Sequence, residues 1–423
     1  MDLLLICNKS PWPAGEGGPI AMNAMVEGLT NAGHKVKVLA INSNKYHVNI
    51  DSIPAVYRAK TQIELVYIDL SIKVLPAFAN LFTDKSYHVE RFISDDFEMV
   101  LKRILQENHF DIIQLESLFI CPYIPLIRQL SKAPIILRAH NIEHLIWKRL
   151  FHGERNPIKK WYLGHLASTL RKYELKAITE VDGIVAITPK DARYFEQQAP
   201  GTPVISIPYG ITPLLIEKYS KQVTNIVKTE INETEAGKTK TGETIVTENN
   251  TIFHLGSMNW MPNQEGIKWF LKEVWPEVRK QCKNATFHLA GRSMPDWLLH
   301  TKSEGVVIDG EVADALNYMQ TYRIMVVPLF SGSGIRIKII EGMLAGCAVI
   351  TTSIGAEGIN YSNGKHLLIA DSAQGFIDSI IRLLPDQQGV AEIGKQATLF
   401  INEQHNNQKL IEKLETFYRQ QAN

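Results

Sequence analysis

Arg336 and Lys338 are the side chains best suited, by type and spacing, to handle an anionic ligand. They follow an apolar run, Ile324-Met-Val-Val-Pro328, and a turn, Leu329-Phe-Ser-Gly-Ser-Gly334. Gly332 and Gly334 permit close backbone approach, and free N–H groups at the start of the helix that follows attract anions. Two cations in a first helical turn oppose the helix dipole unless an anion sits beside them. A phosphate group resolves that conflict; the competing reading is a glycine-rich turn with two solvated charges. Neither common nucleotide loop is present. GxxxxGK[ST] is absent, and GxGxxG needs glycine at 337, where Ile337 stands.

A second constellation is Arg138-Ala-His-Asn-Ile-Glu-His144. Two histidines with a glutamate between them invite a zinc reading, but Asn141 follows His140, so HExxH is not formed. Glu143 either supports a site or caps a helix. Cys7, Cys121, Cys282 and Cys347 form no CxxC pair, which argues against structural zinc and for reduced buried thiols. No Asp-x-Asp occurs to hold a metal on a diphosphate. No metal site and no cofactor are expected.

The elements that must position these residues are legible as alternation. Short apolar runs at 3–7, 36–41, 63–68, 111–115, 134–139, 183–187 and 203–207 read as strands. Amphipathic segments at 20–32, 95–108 and 161–179 lie between them. The same order restarts with runs at 251–255, 285–290, 305–308, 324–328 and 348–351, and with helical segments at 263–281, 313–322 and 336–345. Continuous apolar strands joined by helices predict parallel sheets covered on both faces. With 423 residues, two domains are expected. We divide them as 1–211 and 251–399. Residues 212–250 are rich in Lys, Thr, Glu and Asn, lack any aromatic after Tyr219, and read as a linker or mobile insertion. The tail at 389–421 reads as amphipathic helix, and its end near 400–423 is expected to rejoin the first domain.

The run from Pro328 to Ile350 resembles the signature of family four glycosyltransferases of the group 1 type. In one branch it reads PLxxGxGxRxKxxEAMAxGxPVV; this sequence supplies Pro328, Leu329, Gly332, Gly334, Arg336, Lys338, Glu341, Met343, Ala345, Gly346, Val349 and Ile350. The resemblance covers nearly the whole chain. It implies an α/β GT-B fold, two Rossmann-like domains facing a central cleft, and retaining sugar transfer from a nucleotide-diphosphate-sugar, with UDP- or GDP-sugars foremost. Glu341 matches the glutamate that contacts the donor ribose. Ser333 stands where the wider family has a glutamate against the transferred sugar, a departure common in this branch that leaves the sugar open. Gly342 replaces the usual alanine, a minor change expected to weaken the helix slightly.

By the same resemblance, Gly256 and Asn259 lie near the donor diphosphate, though a tight turn with a helix cap fits them equally. Arg292 faces the cleft or is a surface arginine. Val312 belongs to the loop that holds the nucleobase. Gly17 and Gly18 resemble the glycine pair that brings an N-terminal loop to the diphosphate and acceptor; a plain strand-to-helix turn is the alternative. His140 matches the histidine that touches the transferred sugar. The implied mechanism is front-face displacement in which a leaving phosphate oxygen takes the acceptor proton. Arg336 and Lys338 then stabilise charge on the leaving diphosphate. A carbohydrate or lipid-linked acceptor in cell-surface polysaccharide or glycolipid synthesis is the family-level expectation. Ser333 keeps a catalytically silent scaffold as the alternative.

The bulk composition bounds partners. Net charge is +1, and no recognition motif appears, so nucleic acid is not expected. No uncharged apolar run reaches the ~18–20 residues of a membrane span. Residues 145–176 carry eight basic residues against two acidic ones, interleaved with Trp147, Phe151, Trp161 and Tyr162. Such a stretch either docks on an anionic membrane surface or is a solvated basic helix over the core. The expected location is cytoplasmic, at the inner membrane face if that docking holds.

Overall fold

The computed structural model describes residues 1–14, 17–73, 75, 80–212, 216–217, 250–331 and 335–422. The expected linker at 212–250 lies almost wholly outside these residues. Two units are resolved by contacts: Met1–Thr212 with Asn407–Asn423, and Pro213–Asn406.

In the first unit the apolar runs become β1 (Asp2–Cys7), β2 (Lys35–Ser43), β3 (Glu64–Ile68), β4 (Ile112–Glu116), β5 (Ile135–Ala139), β6 (Gly183–Ala186) and β7 (Val204–Ser206). They form one parallel sheet in the order β3-β2-β1-β4-β5-β6-β7. β1 shows why its run is apolar throughout. Leu4 and Ile6 enter one core and Leu3, Leu5 and Cys7 the other, because alternate side chains point to opposite covered faces. The faces are covered by α1 (Gly17–Asn31), α2 (Asp95–Glu107), α3 (Glu143–Gly153), α4 (Pro157–Ala177) and α5 (Pro189–Gln198), among others. α2 is capped by the Ser94 hydroxyl, which accepts from the Phe97 N–H, and has Asp95, Asp96 and Glu98 in its first turn, where carboxylates suit the dipole. α1 ends at Gly33, whose φ of +87° is the left-handed cap that glycine supplies.

The second unit repeats the plan. β8 (Thr251–Leu255), β9 (Thr286–Ala290), β10 (Val306–Gly310), β11 (Ile324–Val327), β12 (Ala348–Thr351) and β13 (Leu368–Ile369) pair in parallel in the order β10-β9-β8-β11-β12-β13. Its helices include α6 (Met261–Glu273), α7 (Ile337–Leu344), α8 (Ala373–Leu383) and α9 (Gln387–Gln404). Two parallel α/β units of this order make the GT-B fold.

Two expectations are corrected. The tail is not one helix: it breaks at His405 and Asn406, and α10 (Asn407–Ala422) is a separate helix of the first unit. Ile411, Leu414, Phe417 and Tyr418 are buried there beside β1 and α1. The Asn407 amide donates to the Ala24 carbonyl at 2.9 Å, and His34 meets Glu415 at 2.7 Å. Gly342 is also more than a weak helix residue. A Cβ there would lie 2.7 Å from Met325 Sδ, so the methionine would have to move to admit alanine.

Candidate functional site

In an open parallel sheet, ligands collect beyond the carboxyl ends of the strands, where the strand order reverses. In the second unit that point lies between β8 and β11. The turn after β8 carries Gly256 and Asn259, and α7 begins after β11 with Arg336 at its N-cap. Arg336 is buried, its guanidinium 5.5 Å from the centre of the Trp260 ring. Lys338 Nζ donates to Asn263 Oδ1 at 2.6 Å, and Asn263 Nδ2 donates to the Ser257 carbonyl at 2.7 Å. Two segments distant in sequence thereby fix one ammonium. Gly256 is needed for the approach, since a Cβ there would sit 2.9 Å from Lys338 Nζ and 3.1 Å from His254 Nε2.

The electrostatics of this corner favour an incoming anion. Burial, aided by Arg336, pushes the Lys338 ammonium down to about 7. Glu341, half-buried one turn along α7, is pushed up to about 7 by burial, and its carboxylate has no hydrogen bond or ion pair among the described residues. His254 is buried and donates through Nδ1 to the Val326 carbonyl at 2.8 Å; its Nε2 has no hydrogen-bond partner among the described residues. Burial and the neighbouring Lys338 hold that ring far below the usual histidine range, hence neutral. Ser257 donates to Asn259 Oδ1 at 2.9 Å, so Asn259 is engaged within its own turn. Gly291 packs its backbone against Gly256, where a Cβ would fall 1.9 Å from the carbonyl oxygen, and its N–H donates to the Gly310 carbonyl at 2.7 Å. The loops after β8, β9 and β10 are thus laced together, with Val312 half-buried on the last. Arg292 takes the surface reading: its side chain is exposed and Nε donates to Glu311 at 2.9 Å. Gly332, Ser333 and Gly334 lie outside the described residues.

The first unit reverses order between β1 and β4, and a second polar group gathers there. Glu116 ends β4, Arg138 lies on β5 and His140 follows it. Glu116 is fully buried and receives Arg138 Nη1 at 3.0 Å and His140 Nε2 at 2.8 Å. Gly17 and Gly18 are not in a loop but in the first turn of α1, the strand-to-helix alternative; a Cβ on Gly18 would meet the end of Lys9 at 2.7 Å. Glu143 is the first residue of α3. The capping task falls instead to Glu174 on α4, which accepts from the Glu143 N–H at 2.8 Å and the His144 N–H at 3.2 Å and pairs with His144 Nδ1. Burial and Glu174 push Glu143 up to about 8. Sequence reasoning assigned nothing to Glu116, His254 or Asn263. The last two sit in the glycosyltransferase-like segment around Gly256, but Glu116 has no local signal beyond a carboxylate at the end of an apolar run.

The basic stretch at 145–176 falls on α3 and α4. Trp147 turns inward and stacks on His88 with centroids 3.9 Å apart, and Tyr162 packs on Tyr87 and Leu166. Trp161, Ile158 and Leu150 remain exposed among Lys148, Arg149, Arg155 and Lys159. No described helix is long and apolar enough to cross a membrane.

Comparison with known proteins matches both units. The model for Glycosyltransferase Family 4 matches residues 17–213, and that for glycosyl transferases group 1 matches residues 249–386. An uncharacterized 44.6 kDa protein in the cps region of Klebsiella pneumoniae is 22% identical over 97% of this chain and 98% of that protein. Among solved structures, the sucrose-phosphate synthase of Thermosynechococcus elongatus is similar with a TM-score of 0.70 at 14% identity, covering 99% of this chain and 98% of that one. Anabaena HepE in complex with UDP has a TM-score of 0.65 at 13% identity, covering 99% and 100%.

Proposed function

We propose that this chain, matched in its two halves by the models for Glycosyltransferase Family 4 and for glycosyl transferases group 1, moves a sugar from a nucleotide-diphosphate-sugar to a carbohydrate or lipid-linked acceptor, with retention. The observation that carries this reading is the Lys338–Asn263 clamp beside Arg336 at the start of α7. A half-buried ammonium with no carboxylate partner among the described residues is a poor structural device and a good receptor for a diphosphate. Glu341 supplies the acceptor for ribose hydroxyls. As charge grows on the departing diphosphate, Lys338, Arg336 and the first N–H groups of α7 stabilise it. His140 contacts the transferred sugar, and the departing phosphate oxygen takes the acceptor proton. Metal is dispensable in this scheme, because the cations of α7 do its electrostatic work. The UDP bound to HepE favours a uridine donor, and the cps-region relative favours surface polysaccharide as the destination. The exposed Trp161, Ile158 and Leu150 among basic residues suit peripheral contact with an anionic membrane carrying the acceptor. The test is donor turnover followed by proton NMR across UDP- and GDP-sugars, with water or added glycan as acceptor. An α-linked donor should release or transfer sugar with the α configuration; a β product removes retention. Nucleotide binding without turnover leaves a scaffold.

A further inference from the structure

Both carboxylate oxygens of Glu116 accept hydrogen bonds inside the protein. Oε1 accepts from Gln114 Nε2 at 2.6 Å, and Oε2 is shared by Arg138 Nη1 at 3.0 Å and His140 Nε2 at 2.8 Å. Gln114 is itself held, since its Oε1 accepts from the Tyr418 hydroxyl on α10. We propose that Glu116 is a positioning residue that fixes His140 with its proton on Nε2, leaving Nδ1 as the acceptor for a sugar hydroxyl, and that Gln114 and Tyr418 hold the carboxylate in place. This deepens the functional reading above and rests on its placement of the transferred sugar at His140.

The chemistry leaves one arrangement. An ionised carboxylate only accepts, so the ring nitrogen facing it must be the one that carries hydrogen. Burial alone would protonate Glu116, but the Arg138 guanidinium and the hydrogen bond from His140 outweigh it and hold the carboxyl below its usual range. Burial pushes His140 down; the Glu116 contact pulls it up and Arg138 and Lys9 push it down again, with a lowered value as the result. The ring is therefore neutral at physiological pH. The other titratable groups near the pair, the Cys7 thiol and the Tyr418 hydroxyl, are both pushed up by burial and stay protonated. A neutral ring with hydrogen on Nε2 has a single acceptor left, Nδ1. Such a ring receives a hydrogen bond from sugar without delivering a proton to the departing phosphate.

The test is nitrogen NMR on the full chain labelled at its 13 histidines, with His140 assigned by its loss in His140→Gln. The wild type should show His140 neutral at pH 7.5, with an Nε2–H protected from solvent exchange. Glu116→Met removes the acceptor at similar volume; protection should vanish, and turnover should fall about 10–100-fold, as for other orienting partners. Tyr418→Phe removes only the outermost link, and the Nε2–H should exchange about tenfold faster. If Glu116→Met does not fold, the wild-type spectrum and Tyr418→Phe decide. A wild-type proton on Nδ1, a charged ring at pH 7.5, or protection that survives Glu116→Met would overturn the inference. Should the spectra agree while no donor is turned over, the functional reading fails and the positioning role stands.

Discussion

Glu116 ends a strand of the first unit and Glu341 lies in a helix of the second, and the surroundings of these two glutamates are opposite. Glu116 receives three donors and is held below the usual carboxylate range although it is fully buried. Glu341 is only half-buried, receives none among the described residues and is pushed up to about 7. A like contrast holds for a cation in each unit: Arg138 faces a carboxylate, while the partner of Lys338 among the described residues is the neutral Asn263. A protein that leaves buried charge uncompensated lowers its own stability, and that arrangement is sustained when a ligand supplies the compensation. On the reading proposed above, the first unit holds a finished network that orients one ring, and the second an unfinished one for a donor to complete.

The contrast is sharpest when each charge is removed. Glu116→Leu strands Arg138 in the core and should cost about 3–5 kcal/mol in denaturant unfolding; a loss below 1 kcal/mol would show the pair to be dispensable. Lys338→Ala should lower turnover on the order of 10²–10³-fold, the scale of removing one donor to developing charge, while leaving the ligand-free stability unchanged or raised. Glu341→Gln removes no partnered group, so ligand-free stability should stay within about 1 kcal/mol, while loss of the ribose contact weakens donor binding about tenfold, read by calorimetry.

pH sharpens it further. In the proposed donor site Lys338 would bind phosphate when protonated, and Glu341 would accept best when ionised. Both titrate near 7 in the free protein, whereas unfolded they would do so near about 10.4 and 4.3. Affinity for a nucleotide-sugar, whose diphosphate does not titrate there, should peak near neutrality and fall on both sides. Glu341→Gln should abolish the acid limb alone. The sign in stability is separate. The unfolded chain holds the extra lysine proton between about pH 7 and 10, so that site's penalty fades as pH rises. Glu341's raised value gives stability below about pH 4 that is lost as pH climbs through 7. The smallest effect is expected at the surface. Trp161→Ala should reduce co-sedimentation with anionic vesicles and leave neutral vesicles unchanged; no dependence on anionic lipid would remove membrane docking.

Legibility in the sequence followed range. β1 could be read from five apolar residues in a row, and α7 from an apolar period opened by two cations, because both signals are local. The break between α9 and α10 could not, since α10 is held by contacts with Ala24 and β1 at the far end of the chain rather than by its own composition. The donor-like corner was half legible: Arg336 and Lys338 stood out by charge at the start of an apolar helix and Glu341 by the family resemblance, but Asn263, the partner of Lys338, is 75 positions away. Glu116 lies 24 positions from His140 in a different strand, and only parallel pairing brings them together. The sequence left Arg292 with two readings, and Glu311 across the loop engages it at the surface.

The most direct measurement is a thermal-shift titration of UDP, GDP, ADP and their common sugar conjugates against the wild type and Lys338→Ala. One nucleotide should stabilise the wild type by about 2.7 kcal/mol at a hundredfold excess over its dissociation constant, with little or no shift in the variant. No shift with any nucleotide at millimolar concentration, or an equal shift in both proteins, would contradict a donor site built around Lys338.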